Sequence, residues 1–433
     1  MALRLLHTAD WQIGRIYSQF EPDDASALFE ARFQVVERLA ALANEHAVHA
    51  VLVAGDVFDA QTVADKTIRR LFLAMQGYAG PWLLLPGNHD AALAESVWTR
   101  AMRLGVVGAN HHLCLDPTPR LIDTRPGAAT AGLMSAPAAP AAASLTSATP
   151  AEGAFALLPA PLVQRHTHGD LTEWFASAAT PAGLPRIGLA HGCVQGVLPE
   201  DIDSANPIAP GRAAQAGLAW LALGDWHGSK RIDERCWYAG TPETDRFRAN
   251  DSGQALLVTL DGPNAPPQVQ RLASGRYRWQ LVEQTLTVAS DLDQTLALLA
   301  ALGPADVVNL KLSGACDLAA QRRLQQAVDA ARARVRALVH EAHALRLQPT
   351  EDDIAALHAD GYVGEVLQQL RDEQAGAPGQ PTATDRPDPP GAPGQPDGRA
   401  ERAERAERAR DALLILAHLL DERGERSERG APA

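Results

Sequence analysis

The chain has 433 residues, 46% of them hydrophobic and 21% charged, with 39 Lys+Arg against 52 Asp+Glu for a formal charge of −13. That length exceeds what one compact core accommodates, so two or more domains are expected. The acidic balance excludes a protein that coats nucleic acid by charge alone, but not an enzyme that meets phosphate through metal ions. No stretch approaches the ~18 apolar residues of a membrane span, and the N-terminus runs straight into a strand-like segment with no signal-peptide pattern. Four cysteines (Cys114, Cys193, Cys236, Cys316) lie far apart without paired spacing, which suits reduced thiols in the cytoplasm rather than a disulfide framework. A cytoplasmic protein with no membrane association is therefore expected.

In chain order, short apolar runs predict strands at Leu3–Leu6, Ala50–Ala54, Trp82–Leu85, Arg186–Ala190, Ala219–Leu223, Cys236–Ala239 and Ala255–Leu260. Between the first two, Leu28, Phe29, Val35, Val36, Leu39 and Leu42 recur at three- and four-residue spacing and predict a helix over Ala25–His46. Strand, helix, strand is the pattern of an α/β layer fold, assigned to residues 1–275. Residues 126–154, rich in Ala and Pro, offer no periodic face and are read as an insertion. From 276 to 374 a small α/β cap is expected, with strands Leu281–Val288 and Val307–Leu312, one long helix over Leu318–Ala344, and a short helical tail. Residues 375–399, dense in Pro, Gly and Asp, are read as an extended, mobile linker. Residues 400–433 begin as AERAERAERAR and continue with a face of Leu413, Leu414, Leu416 and Leu420 that a lone helix cannot bury. Two readings stand for it, a solvated charged tail and a helix that docks a partner.

Five segments share a property: each is an apolar run ending in potential metal ligands. They are LLHTADWQIG, VLVAGDVFDA, LLLPGNHDAA, IGLAHG and LALGDWHG. Loops at the carboxyl ends of strands in α/β sheets converge on one crevice. Any one of Asp10, Asp56, Asn88, His191 or His227 alone is explained by a helix cap or a satisfied core histidine. Together, always after a strand, they are not, because buried carboxylates without a compensating cation are costly.

HTADW, GDVFD and LPGNHD, with histidines downstream, resemble the calcineurin-like metallophosphoesterases, and within them the DNA-repair branch of SbcD-type exonuclease subunits. The likeness covers residues 1 to about 275. It implies a sandwich of two mixed sheets flanked by helices, with the small α/β cap and the C-terminal helix as additions. It also implies two divalent ions that polarise a phosphate and generate the attacking hydroxide. By motif, Asp56 bridges both ions, Asp10 and His227 serve the first, and Asn88 and His191 the second. His89 faces the leaving oxygen as general acid or charge stabiliser, and Asp59 orients its ring.

Two positions depart from the family pattern. Gln12 stands where the family has a histidine two residues after the first aspartate, and Asp225 stands at the first histidine of Gly-His-X-His. Gln12 falls on the first ion and Asp225 on the second, so each exchanges an imidazole for an oxygen donor. Oxygen donors favour Mn²⁺, with Mg²⁺ or Fe²⁺ as alternatives, over Zn²⁺. Loss of catalysis is the competing reading; since both replacements can still coordinate, retained catalysis is expected. Arg246 or Arg248, in GTPETDRF and just after it, would reach a phosphate, with a surface turn as the equal alternative. Arg15 and Trp11, flanking the first ligand segment, are candidates for the lining of the substrate cleft, with Arg15 carried forward as substrate-binding. His111, His112, His166 and His168 are read as loop or surface residues, and the arginines of the appendage helix (Arg322, Arg323, Arg332, Arg334, Arg336) as a solvated face. The expected function is a metal-dependent phosphodiester hydrolase, a DNA repair exonuclease; the alternatives are hydrolysis of small nucleotides and a non-catalytic scaffold. The resemblance alone supplies the partners: DNA as substrate and an SMC-like coiled-coil ATPase, with a homodimer left open.

Overall fold

The structure, a computed structural model, describes residues 2–124, 153–197, 205–348, 362–375, 404–409, 411–413 and 415. The expected insertion, apart from 153–154, and the expected linker, apart from 375, lie outside the described residues, as does most of the C-terminal segment. Two compact units are present, Met1–Trp279 and Gln280–Ala433.

The elements of the first unit are β1 (Leu3–Thr8), α1 (Pro22–Glu45), β2 (Ala50–Ala54), α2 (Asp65–Ala74), β3 (Trp82–Leu85), α3 (Val97–Arg103), β4 (His111–Leu113), β5 (Arg120–Ile122), β6 (Phe155–Ala160), β7 (Arg186–His191), β8 (Cys193–Val194), β9 (Pro207–Ile208), α4 (Arg212–Gln215), β10 (Trp220–Gly224), β11 (Lys230–Arg231), β12 (Cys236–Tyr238), β13 (Gln254–Leu260) and β14 (Gln268–Ala273). They form two six-stranded mixed sheets, ordered β14-β13-β1-β2-β3-β4 and β11-β12-β10-β7-β6-β5. Leu5, Leu52, Leu83 and Leu85 of one sheet pack against Phe155, Leu157, Ile187, Leu189 and Trp220 of the other. On the far side of the first sheet, Leu6, Val51, Val53 and Leu84 meet Val35, Val36 and Leu39 of α1 and Ile68 and Leu71 of α2. Strands covered on both faces have no solvent side, which is why they read as unbroken apolar runs. The α/β sandwich is the fold expected.

Parallel pairing positions the site. β1, β2 and β3 are parallel neighbours, with Thr8 opposite Val53 and Ala54 opposite Leu85, so the residues that follow them emerge side by side. In the second sheet β7 and β10 are parallel, with His191 opposite Gly224.

In the second unit, β15 (Arg278–Leu286), which begins at the end of the first, leads to α5 (Ala289–Ala301), β16 (Asp306–Cys316), α6 (Leu318–Arg332), β17 (Ala337–Leu347) and α7 (Tyr362–Ala375). The sheet order is β15-β16-β17, and Val308, Leu310, Leu292, Leu299, Leu324 and Val328 form its core. The expected helix over Leu318–Ala344 is corrected: it ends at Arg332 and the chain becomes a strand. Val307 to Cys316 pair in parallel with Ala337 to Leu347, and that pairing overrides the helix-favouring Ala, Arg and Leu content of the segment. His111 and His112 are corrected too. They lie on β4, and His111 is buried with its ring 5.2 Å from Phe72; burial pushes its pKa down to about 4.

Candidate metal centre

The loop after β1 and the loop after β2 run alongside each other. The Asp10 amide donates to the Gly55 carbonyl, Gln12 to Asp56 and Ile13 to Val57, at 2.9–3.0 Å. Asp10, Gln12, Asp56 and Asp225 have positive φ (54°, 51°, 52° and 105°), four of the seven such non-glycine residues among those described. Left-handed backbone in an L residue is held against a cost of roughly 1–3 kcal/mol, and such strain gathers at functional sites. Gly55 has φ 90°, and a Cβ there would lie 2.2 Å from His191 Nδ1, so only glycine lets the loop after β2 approach His191 at the end of β7.

Side chains from these loops converge. Ligand atoms of Asp10, Asp56 and His191 lie within 4.8 Å of one another. The Asp225 amide donates to both Asp10 oxygens, at 3.1 and 3.3 Å, and the His89 amide donates to Asp56 Oδ1 at 2.9 Å. His191 Nδ1 donates to the Ala54 carbonyl at 2.8 Å. Its Nε2 faces Asn88 Oδ1 at 3.0 Å, Asp56 Oδ1 at 3.6 Å and Asp225 Oδ1 at 3.7 Å. Burial alone would lower the His191 pKa, yet the carboxylates of Asp56, Asp10 and Asp225 push it up to about 9. Burial raises the pKa values of Asp10 and Asp225, and the histidines oppose it. A place that calls this strongly for a proton is also a place for a cation.

Gln12 gives an independent test of fit. Its side chain is fully buried, Nε2 donates to Asp56 Oδ2 at 2.9 Å, and Oε1 finds no hydrogen-bond partner among the described residues. A buried carbonyl oxygen without a partner costs about 1–3 kcal/mol, and a divalent ion would satisfy it. The donor set of three carboxylates, two amide oxygens and two imidazoles fits such an ion.

Two expected contacts differ. The Asp59 carboxylate was expected behind His89; instead Nδ1 of His89 donates to the Asp59 backbone carbonyl at 2.7 Å, and the carboxylate faces Arg15 at 3.9 Å. Trp11 does not line a cleft: it is fully buried, edge-on to Trp82, with Nε1 donating to Thr8 Oγ1. The following residues of the loop turn outward, and Arg15 reaches Asp245 Oδ2 at 3.2 Å.

Sequence reasoning missed Asp90 and Asp245. Asp90, the last letter of GNHD, is fully buried and accepts from the amides of Gly87 (2.6 Å) and Phe58 (3.1 Å), so it ties the β2 and β3 loops together. Asp245 accepts from His227 Nδ1 at 2.9 Å, which makes Nε2 the ring's acceptor, and an Arg246 guanidinium nitrogen stands 3.2 Å from it. Burial would raise the Asp245 pKa, but His227, Arg32 and Arg246 hold it well below the usual carboxylate range. The Arg246 guanidinium lies 2.8 Å from His227 Nδ1 and 3.1 Å from Asp245 Oδ1. His227 faces the other ligands closely enough to pull down the pKa values of Asp10 and Asp225.

The calcineurin-like phosphoesterase family profile matches residues 3–122. The chain is 30% identical over 294 residues to the SbcD component of the nuclease SbcCD from Rhodobacter capsulatus, covering 62% of this chain and 69% of that one. It is 26% identical over 316 residues to the component of the same name from Bacillus subtilis, covering 67% and 76%. Against the Escherichia coli component the match is 33% over 100 residues, 22% of this chain and 23% of that one.

Proposed function

This chain belongs to the SbcD-type branch of the calcineurin-like phosphoesterases, metal-dependent hydrolases, and on that premise we propose that it hydrolyses phosphodiesters of DNA as the nuclease component of a larger assembly. One observation carries the reading: Asp10, Asp56 and His191 offer ligand atoms within 4.8 Å of one another beside the unpartnered Oε1 of Gln12. Asp10, Gln12 and His227 would hold one ion, Asn88, His191 and Asp225 a second, and Asp56 both. Five oxygen donors against two nitrogens favour Mn²⁺, with Mg²⁺ or Fe²⁺ next. What the bound ions supply is Lewis-acid polarisation of the phosphate and acidification of the attacking water.

The chain's own residues do the rest. The Asp59 carbonyl accepts from Nδ1 of His89, which fixes the ring orientation, and as general acid His89 would donate from Nε2–H to the leaving oxygen. His89 is one-third exposed while Asp10 and Gln12 are fully buried; substrate would thus arrive from the His89 side. Arg15 and Arg246, both on Asp245, would steady a non-bridging oxygen. By resemblance, the partner is an SMC-like coiled-coil ATPase.

The test is purified protein with Mn²⁺ offered linear duplex, single-stranded DNA and a generic small diester. Cleavage of DNA is expected, with His89→Ala keeping its calorimetric Mn²⁺ binding and losing about 10²–10⁴ in turnover. Unchanged turnover in that variant removes His89 from the chemistry. Cleavage of the small diester alone would turn the reading to small nucleotides, and cleavage of nothing to a scaffold.

A further inference from the structure

Three segments far apart in sequence meet in the first unit, and each interleaves arginine with aromatic residues: Arg15 with Tyr17, Arg246-Phe247-Arg248, and Arg276-Tyr277-Arg278-Trp279. Ring contacts tie them together. The Trp279 ring lies 4.9 Å from Phe247, 5.5 Å from Phe20 and 5.9 Å from Tyr17. Two buried carboxylates add polar ties. Glu243 accepts from the amides of Arg276 at 2.7 Å and Tyr277 at 3.0 Å, and Asp245 holds Arg15 and Arg246. The aromatic rings pack toward one another, while Arg248, Arg276 and Arg278 are exposed.

The charge on this surface runs against that of the chain. The three segments and the short stretch before Arg246 carry five arginines against two carboxylates, Glu243 and Asp245, which are only 2% and 1% exposed. In a protein of formal charge −13, that is a local cluster of cations; the further carboxylates beside it are Asp59, 3.9 Å from Arg15, and Asp225 of the metal centre. The patch also adjoins the metal centre. The Arg248 guanidinium lies 5.3 Å over the ring of Trp226, and Trp226 separates the candidate ligands Asp225 and His227. Ile16, beside Arg15, is 81% exposed and adds apolar ground among the cations.

We infer that this arginine–aromatic patch is a track for a single nucleic-acid strand leading to the metal centre. Guanidinium groups pair with phosphate oxygens in a fixed fork, and only a polyanion has further phosphates to offer Arg248, Arg276 and Arg278 while one diester occupies the ions. The inference rests on the phosphodiester reading above and adds the residues outside the metal centre that would hold the rest of the strand.

The experiment is binding of a fluorescent oligothymidylate to the full chain in EDTA, by anisotropy across a salt series. No hydrolysis is needed, so failure of the hydrolase reading would show separately, in the small-diester assay with Mn²⁺. The double variant Arg276→Gln/Arg278→Gln should lose on the order of tenfold in affinity near 0.1 M salt, and its log–log salt slope should fall by about 1.4, two single-strand phosphate contacts at ~0.7 each. Arg322→Gln/Arg323→Gln on α6 removes the same charge elsewhere and should leave slope and affinity as in the parent. An unchanged slope in the first variant, an equal loss in the second, or no binding by the parent chain would each overturn the inference.

Discussion

Asp245 accepts from His227 at 2.9 Å while guanidinium groups of Arg15, Arg32 and Arg246 stand 3.1–3.7 Å from its oxygens. A carboxylate behind a ligand histidine fixes the tautomer and raises the basicity of the nitrogen that faces the metal. Asp245→Asn keeps the shape but removes the charge, so Mn²⁺ affinity measured by calorimetric titration should fall by roughly 10–100-fold; an affinity equal to the parent's would show that His227 needs no such support. No motif announces this residue. Beside its neighbour Arg246, its partners come from positions 15, 32 and 227, and only the fold brings those to it. The residues of GDVFD and GNHD were legible because each candidate ligand lies within two or three residues of a strand end. The role of the Asp59 carbonyl was not, since backbone direction in a loop leaves no mark on side-chain identity.

Strands show the same division between what local pattern carries and what pairing decides. β1, β2, β3, β7 and β10 are buried on both faces and stood out as apolar runs. β6 (FALLPA) escaped notice although it is fully buried, because it directly follows an Ala/Pro-rich stretch of similar composition. β17 escaped because an Arg/Ala/Leu sequence pairs as a strand only once β16 lies beside it. His7 sits inside β1, where the apolar run predicts no charge: it is fully buried, with Nε2 3.1 Å from the Leu223 carbonyl and its ring edge-on to Trp220. Burial pushes its pKa down to about 3, against the raising influence of that carbonyl. The unfolded chain takes up this proton near its ordinary pKa of about 6.5 while the folded chain refuses it, so stability is retained above that pH and lost as pH falls toward 3. One such proton is worth ~1.4 kcal/mol per pH unit, or about 2 kcal/mol between roughly pH 7.5 and 5. His7→Gln keeps a neutral donor for Leu223, and urea midpoints should show the parent losing about that much more than the variant over this interval. Equal losses would mean that His7 is protonated in the folded protein.

At the scale of the whole chain, the question is where the catalytic unit ends. The composition change suggested residue 275, while the compact unit runs to Trp279. Physical chemistry favours the later boundary. Three apolar clusters, the core between the sheets and those on their outer faces, draw only on residues of the first unit, and the fourth only on the second. The stretch Arg276–Trp279 belongs energetically to the first. Glu243, 2% exposed, has its carboxylate met by the amides of Arg276 and Tyr277, and the Trp279 ring packs on Phe20 and Phe247. A chain of residues 1–279 should therefore unfold in one cooperative step, because it keeps its cores intact. A chain of residues 1–275 deletes four residues more and strips a buried carboxylate of two charge-assisted hydrogen bonds, each worth about 1.5–3 kcal/mol. Together with the lost packing of Tyr277 and Trp279, it should be less stable than the longer piece by at least ~3 kcal/mol in urea unfolding. If the two pieces unfold at the same midpoint with the same slope, Glu243 finds other partners and the unit closes before Arg276. If the longer piece fails to fold while the full chain does, the second unit is part of the same cooperative structure and the division at Trp279 is geometric only.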